Sequence, residues 1–169
     1  CHGEPMNYLL SPFVDEDLPE IISLEEEIFG KYAWSSEVMK AELSHPQSIY
    51  FVSKSVESGF MVGYGGIRIE AGEQPDADIQ TLAILQDFRG RGLGRIILRR
   101  LLLEAREWGV GSVFLEVRAD NFAAINLYIS EKFERIGLRP GYYQQDGADA
   151  ISMKSAIVEP RLETGVKNV

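Results

Sequence analysis

At 169 residues, 45% hydrophobic and 25% charged, the chain has the size and balance of one globular domain and needs no disulfide or metal to hold its core. Its single cysteine, Cys1, rules out an intrachain disulfide and fits a reducing, cytoplasmic setting. A net charge of −9 disfavours direct nucleic-acid or anionic-membrane binding, and the longest run without Asp, Glu, Lys or Arg is eleven residues (43–53), short of the roughly 20 apolar residues a spanning helix needs.

Residues 1–5 carry no periodicity and read as an extension, and residues 156–169, with Pro160 and Gly165 and no apolar face, read as a tail. The domain is therefore placed at residues 6–155. Residues 8–14 read as a first strand. Asp17, Pro19 and Glu20 then supply a cap, a first-turn proline and an acid at the third helical position, starting a helix that runs to about Phe29. A second helix begins at Ser35 or Ser36 and ends near Ser44, before His45 and Pro46. Residues 49–55 and 60–69 read as an antiparallel pair about Glu57, Ser58 and Gly59, and 78–84 as a further strand. A long helix over 92–108 has Leu93, Ile97 and Leu101 along one face and Gly109 just beyond its end. A buried strand at 113–117, a helix at 121–130 and two short strands near 135–138 and 150–154 complete an α/β or α+β chain with a mixed sheet. From Asp15 to Glu27 there are seven acids and no bases, which reads as a solvated helix face.

The most informative run is Arg89-Gly90-Arg91-Gly92-Leu93-Gly94-Arg95, where a strand hands over to the long helix. Glycines open backbone angles closed to other residues and let a ligand come close, and the helix start behind them offers unpaired N–H groups and a positive dipole end. From Arg89 to Arg106 there are six arginines and one acid, a local charge of +5 in a chain of −9. An anionic cofactor explains such a patch, although the run alone also fits a surface helix behind a tight turn. It matches neither G-x-G-x-x-G nor G-x-x-x-x-G-K-[ST], which argues against dinucleotides and nucleoside triphosphates. It does match [QR]-x-x-G-x-[GA].

That motif resembles the pyrophosphate loop of the GCN5-related N-acetyltransferase (GNAT) superfamily, and the resemblance covers residues 6–154. Leu82, Ala83 and Ile84 resemble the strand segment whose backbone pairs with pantetheine in that family. Residues 115–121 (LEVRADN), 124–128 (AINLY) and Phe133 resemble the RimI-type branch, which acetylates the N-terminal alanine of a ribosomal protein. Arg139, Tyr142, Tyr143, Gly147 and the run Asp149-Ala150-Ile151 echo the ending of that branch, and Tyr32-Ala33-Trp34-Ser35 echoes its FPWS. The departures are Gln86 and Ala33 for prolines, Asp120 for serine, and Lys132 where a glycine precedes Phe133. The resemblance implies a central mixed, mostly antiparallel sheet flanked by helices.

Acetyl transfer from a thioester to an amine needs a base for the amine, a donor for the oxyanion and a proton for the departing thiolate. The resemblance makes Glu116 the base acting through water, Tyr128 the acid, and a backbone N–H of the 82–84 strand the oxyanion donor. It makes Arg89, Gly90, Arg91, Gly92, Leu93, Gly94, Arg95 and Asn121 the acetyl-CoA-binding residues. A phenol is protonated at neutral pH and can donate, and a carboxylate at the end of the apolar strand 113–117 suits a base. Singly, each has a plain structural reading: Glu116 an exposed strand end, Asn121 a helix cap, Tyr128 a core aromatic. Their joint spacing after a phosphate loop favours the chemistry. Trp34, Tyr142 and Tyr143 fit acceptor-site walls and packing residues equally well. His45 reads as a surface residue, and Cys1 and His2 fall short of a metal site, so no metal is expected. An α-amine, with a pKa of about 7.7–8.0 against about 10.4 for lysine, is the easier acceptor. The expected partner is a basic protein N-terminus, that of a ribosomal protein, for a monomer or weak homodimer in the cytoplasm. Another protein N-terminus, a lysine, a small amine or a non-catalytic coenzyme A sensor are the rivals.

Overall fold

The computed structural model describes residues 7–157; the expectations for residues 1–5, including Cys1 and His2, and for the tail from residue 158 on fall outside them. The elements are β1 (Tyr8–Pro12), α1 (Leu18–Phe29), α2 (Ser36–Ser44), β2 (Ser48–Ser55), β3 (Met61–Glu70), β4 (Asp76–Ile84), α3 (Leu93–Glu107), β5 (Ser112–Arg118), α4 (Phe122–Ser130), β6 (Glu134–Tyr143) and β7 (Ala148–Ala156). Among the described residues they fall into two compact units, one of residues 7–69 and 78–101, the other of 70–77 and 102–157. Both combine helix and strand, the α/β class expected. None of the described helices is long and apolar enough to cross a membrane.

In the first unit the strands hydrogen-bond in the order β1-β2-β3-β4, and the β1–β2 and β2–β3 pairs are antiparallel. Its core gathers Ile21 and Leu24 of α1, Met39 of α2, and Tyr50, Val52, Met61, Tyr64 and Ala83 of the strands. Gly65 of β3 sets how closely α3 can lie: a Cβ there would come within 2.6 Å of Ile97 Cγ2, so only glycine admits the helix at this depth.

The acidic first helix departs from its expected reading. Asp17 does not cap α1: its own backbone is helical, and its buried carboxylate turns back to accept from the Val14 N–H at 3.0 Å and Lys54 Nζ at 2.7 Å. A proline at the start of α1 leaves fewer helix N–H groups for a cap, while the Lys54 charge offers a stronger partner. Glu20 accepts from the Met61 N–H at 2.7 Å, and Glu25, 4% exposed, accepts from the Trp34 N–H at 2.9 Å and from the Tyr64 hydroxyl. Three of the seven acids thus serve as internal acceptors rather than as a solvated face. The second helix matches its expected start: Ser35 accepts from the Val38 N–H at 3.2 Å as an N-cap.

In the second unit the order is β5-β7-β6, each pair antiparallel. Val113, Leu115 and Val117 of β5, Ile125 and Tyr128 of α4, Phe133 and Met153 are buried. Strand β6 is far longer than the short segment expected at 135–138, because it lies exposed at an edge and carries little apolar alternation to read, while β7 extends the segment expected at 150–154 by two residues at each end. They join through a turn at residues 144–147, where Gly147 has φ 73°. At the end of α4, Lys132 adopts φ 76°, the left-handed conformation for which the family pattern uses glycine. Its departure leaves the turn intact: the Phe133 N–H still reaches the Tyr128 carbonyl at 2.9 Å.

Candidate active site

The glycine-rich run lies wholly in the first unit. Gly90 and Gly92 have φ of 78° and 84°, and a Cβ at either would meet nothing within 4 Å. The space in front of these backbones is open, and glycine is required by conformation rather than by crowding. Leu93 opens α3 directly behind, so the N–H groups of its first turn, Leu93, Gly94 and Arg95 among them, face the loop end of the helix. A phosphate-sized anion fits this construction. The arginines are anchored within it. Arg89 Nε donates to the Ile84 carbonyl at 2.9 Å, fixing the loop to the end of β4, the strand that carries Leu82, Ala83 and Ile84. Arg91 donates to the Tyr8 hydroxyl at 2.7 Å and lies 5.0 Å from the Phe88 ring centroid.

Trp34 also belongs to the first unit. It packs on the hydrophobic cluster of Ile21, Met39, Tyr50 and Tyr64, with its N–H on Glu25, so it has a packing role in any case. A concavity of about 200 Å³ is lined by Glu27, Ile28, Leu85, Gln86, Asp87 and Arg89, two carboxylates among them. His45 is half-buried at the end of α2, where Nδ1 accepts from the Gln47 N–H at 3.1 Å, a turn contact with no chemistry attached.

The remaining candidates lie in the second unit. Glu116 sits on β5 with a side chain 25% exposed; its Oε2 accepts from Ser152 Oγ at 2.7 Å and pairs with Arg139 Nε at 3.2 Å. Asn121 is exposed and its Oδ1 caps α4 by accepting from the Ala124 N–H at 3.2 Å. Tyr128 lies near the end of α4, 7% exposed, its ring edge-on to Phe133 at 5.8 Å. Burial, with a smaller repulsion from Tyr143, pushes its phenol up to about 12, so it stays protonated well past neutrality.

Tyr142 and Tyr143 pack edge-on at 5.0 Å and line an open concavity of about 500 Å³ with Gln144 and Gln145. Burial first, then Tyr142, raises the Tyr143 phenol to about 12, with Glu116 contributing in the same direction and Arg118 against it. Arg118 holds this hairpin tip in place: it pairs with Asp146 at 2.7 Å and Asp120 at 3.3 Å and stacks 5.2 Å from the Tyr143 ring centroid. Sequence reasoning assigned no role to Arg118, Arg139 or Ser152. Ser152 becomes visible only through strand register, which sets it opposite Glu116. Among the described residues no group of three or more His, Cys, Asp or Glu side chains is placed to hold a metal ion.

The chain belongs to the acetyltransferase (GNAT) family, whose model matches residues 16–133. It is 39% identical over 147 residues to the N-alpha-acetyltransferase RimI of Mycobacterium tuberculosis, covering 85% of this chain and 89% of that protein. A Mycobacterium leprae protein is 40% identical over 155 residues, 90% of this chain, but the chain spans only 41% of its length. The crystal structure of the ribosomal-protein-alanine N-acetyltransferase of Escherichia coli superposes with a TM-score of 0.77 at 30% identity, covering 89% of this chain and 94% of that one.

Proposed function

We propose that the protein transfers the acetyl group of acetyl-CoA directly to the α-amine of an N-terminal alanine on a ribosomal protein. The observation that carries this reading is the open loop of Gly90 and Gly92, held in left-handed conformation at the start of α3. It is what an acetyl-CoA pyrophosphate needs, in a chain whose relatives are named as ribosomal-protein alanine acetyltransferases. In this reading Arg89, Gly90, Arg91, Gly92, Leu93, Gly94 and Arg95 cradle the pyrophosphate, the backbone of Leu82, Ala83 and Ile84 pairs with the pantetheine arm, and Asn121 contacts the cofactor. Glu116 takes the proton of the attacking amine through water. Tyr128, whose phenol is protonated at neutral pH, returns a proton to the coenzyme A thiolate. The amine nitrogen forms the new C–N bond as the C–S bond breaks, so no acyl-enzyme and no metal enter.

Trp34, Tyr142 and Tyr143 serve as acceptor walls, and the carboxylates of Glu27 and Asp87 favour a basic chain. The domain is residues 6–155, acting in the cytoplasm as a monomer or weak homodimer without nucleic acid. The test is intact-mass analysis after incubation with acetyl-CoA and a basic peptide beginning Ala-Arg, beside a copy blocked at its α-amine but keeping its lysines. Acetylation of the free peptide alone is expected. Modification of both would move the reading to lysine, and modification of neither would remove the proposed acceptor.

A further inference from the structure

Two side chains meet on one carboxylate oxygen in the second unit. Glu116 of β5 stands opposite Ser152 of β7, whose hydroxyl donates to Glu116 Oε2 at 2.7 Å. The same oxygen pairs by charge with Arg139 Nε of β6 at 3.2 Å, and that nitrogen donates to Ser152 Oγ at 3.3 Å. The Arg139 guanidinium also lies 5.8 Å from the ring centroid of Tyr142.

Register explains how Arg139 comes to this face. Arg135 pairs with Met153, but Gly137, not Ile136, pairs with Ser152. The extra residue is a bulge at Ile136, and it reverses the facing of the β6 residues from Gly137 to Arg139. Without it Leu138 would share the face of Glu116 and Ser152, and Arg139 would point the other way. With it Arg139 falls opposite Ala150, diagonal to Ser152 and within reach of the carboxylate. A bulge that gives up a ladder bond to aim one arginine at one carboxylate is a built feature of the fold.

We infer that Ser152 and Arg139 are positioning residues for the transfer, pinning Glu116 Oε2 so that Oε1 is the oxygen that takes the proton. The inference rests on the reading of Glu116 as the base. A glutamate side chain has three torsions to freeze, and proton transfer rewards a base already held in one orientation. Ser152 donates to Oε2, and Arg139 orients that hydroxyl while pairing with the carboxylate by charge, which leaves Oε1 for the proton.

The test uses Ser152→Ala, Arg139→Gln, Arg139→Lys and Glu116→Gln in the full chain, assayed with acetyl-CoA and the Ala-Arg peptide, with melting temperatures and crystal structures alongside. Ser152→Ala and Arg139→Gln are each expected to lower kcat about tenfold while KM for acetyl-CoA and the melting temperature hold, and Arg139→Lys to recover part of the loss. In the structures of the two damaging variants the Glu116 carboxylate is expected to leave its single orientation. An unmoved Glu116 in those structures, or unchanged kcat in both variants, would overturn the inference even where Glu116→Gln abolishes turnover. Wild-type turnover by Glu116→Gln would instead remove Glu116 as the base, and the positioning role with it.

Discussion

Lys132 illustrates how one side chain can bear a conformation its type disfavours. With φ at 76° it occupies the left-handed region, at a cost of about 1–2 kcal/mol for a residue with a Cβ, and the turn persists because Phe133 is buried beyond it. Lys132→Gly is therefore expected to stabilise the protein by about 1 kcal/mol in urea unfolding, after the larger entropy of glycine in the unfolded chain is counted. Unchanged or lower stability would mean that the strain is already relieved. The reverse change applies at Gly92, where φ is 84° and the space ahead is open. If the loop holds the pyrophosphate as proposed, Gly92→Val should weaken acetyl-CoA binding by at least tenfold in calorimetry, because a side chain would fill the open space ahead of the backbone and the backbone would resist the angle. The glycines of this loop were legible in the sequence, since few other residues take such angles. Arg118 was not, because a cation says nothing of its partners until Asp146 and Tyr143 are brought beside it.

At the level of elements, α1 and the segment after it are tied together by Glu25. Its carboxylate is buried and takes both the Tyr64 hydroxyl and the Trp34 N–H, so it fixes the approach to α2 as well as the base of β3. Glu25→Ala would strand two buried donors, and a loss of about 3 kcal/mol is expected by denaturant titration. A loss under about 1 kcal/mol would show that water replaces the carboxylate without difficulty. Among acids spaced along a helix, sequence alone cannot separate Glu25 from Glu26 or Glu27. The pattern marks the solvent side, and the partners that draw one acid inward come from β3 and from residues nine positions away. Helices α2, α3 and α4 were legible within a residue or two from caps, periodicity and the Gly109 stop. Strand β7 was legible to within two residues at each end, but β6 was not, because an exposed edge strand with a bulge breaks the alternation that identifies strands.

For the whole molecule, buried phenols set an alkaline limit. Tyr50, Tyr64, Tyr128 and Tyr143 all have phenols raised by burial above the ordinary value, Tyr128 and Tyr143 to about 12. A folded-state value above the unfolded one means the native state holds its proton more tightly. That stability is fully present below about pH 10 and is lost as pH rises toward 12. Thermal unfolding is thus expected to move to lower temperature above pH 10, and Tyr128→Phe to remove a share of about 2–3 kcal/mol from that decline. An identical alkaline slope in the variant would contradict the burial account. The class of fold and the order of its elements were readable because the loop, the LEVRADN strand and the AINLY helix are chemically constrained in sequence. The clamp of Arg139 and Ser152 on Glu116 arises only from register, which no local pattern encodes.

The proposed transfer requires that Glu116 and Tyr128 do chemistry rather than packing. The most direct measurement is turnover of an Ala-Arg peptide by Glu116→Gln and Tyr128→Phe, with acetyl-CoA affinity measured by calorimetry on the same samples. Loss of at least a hundredfold in kcat with affinity unchanged is the predicted result. Turnover at the wild-type rate in either variant would contradict the role given to that residue.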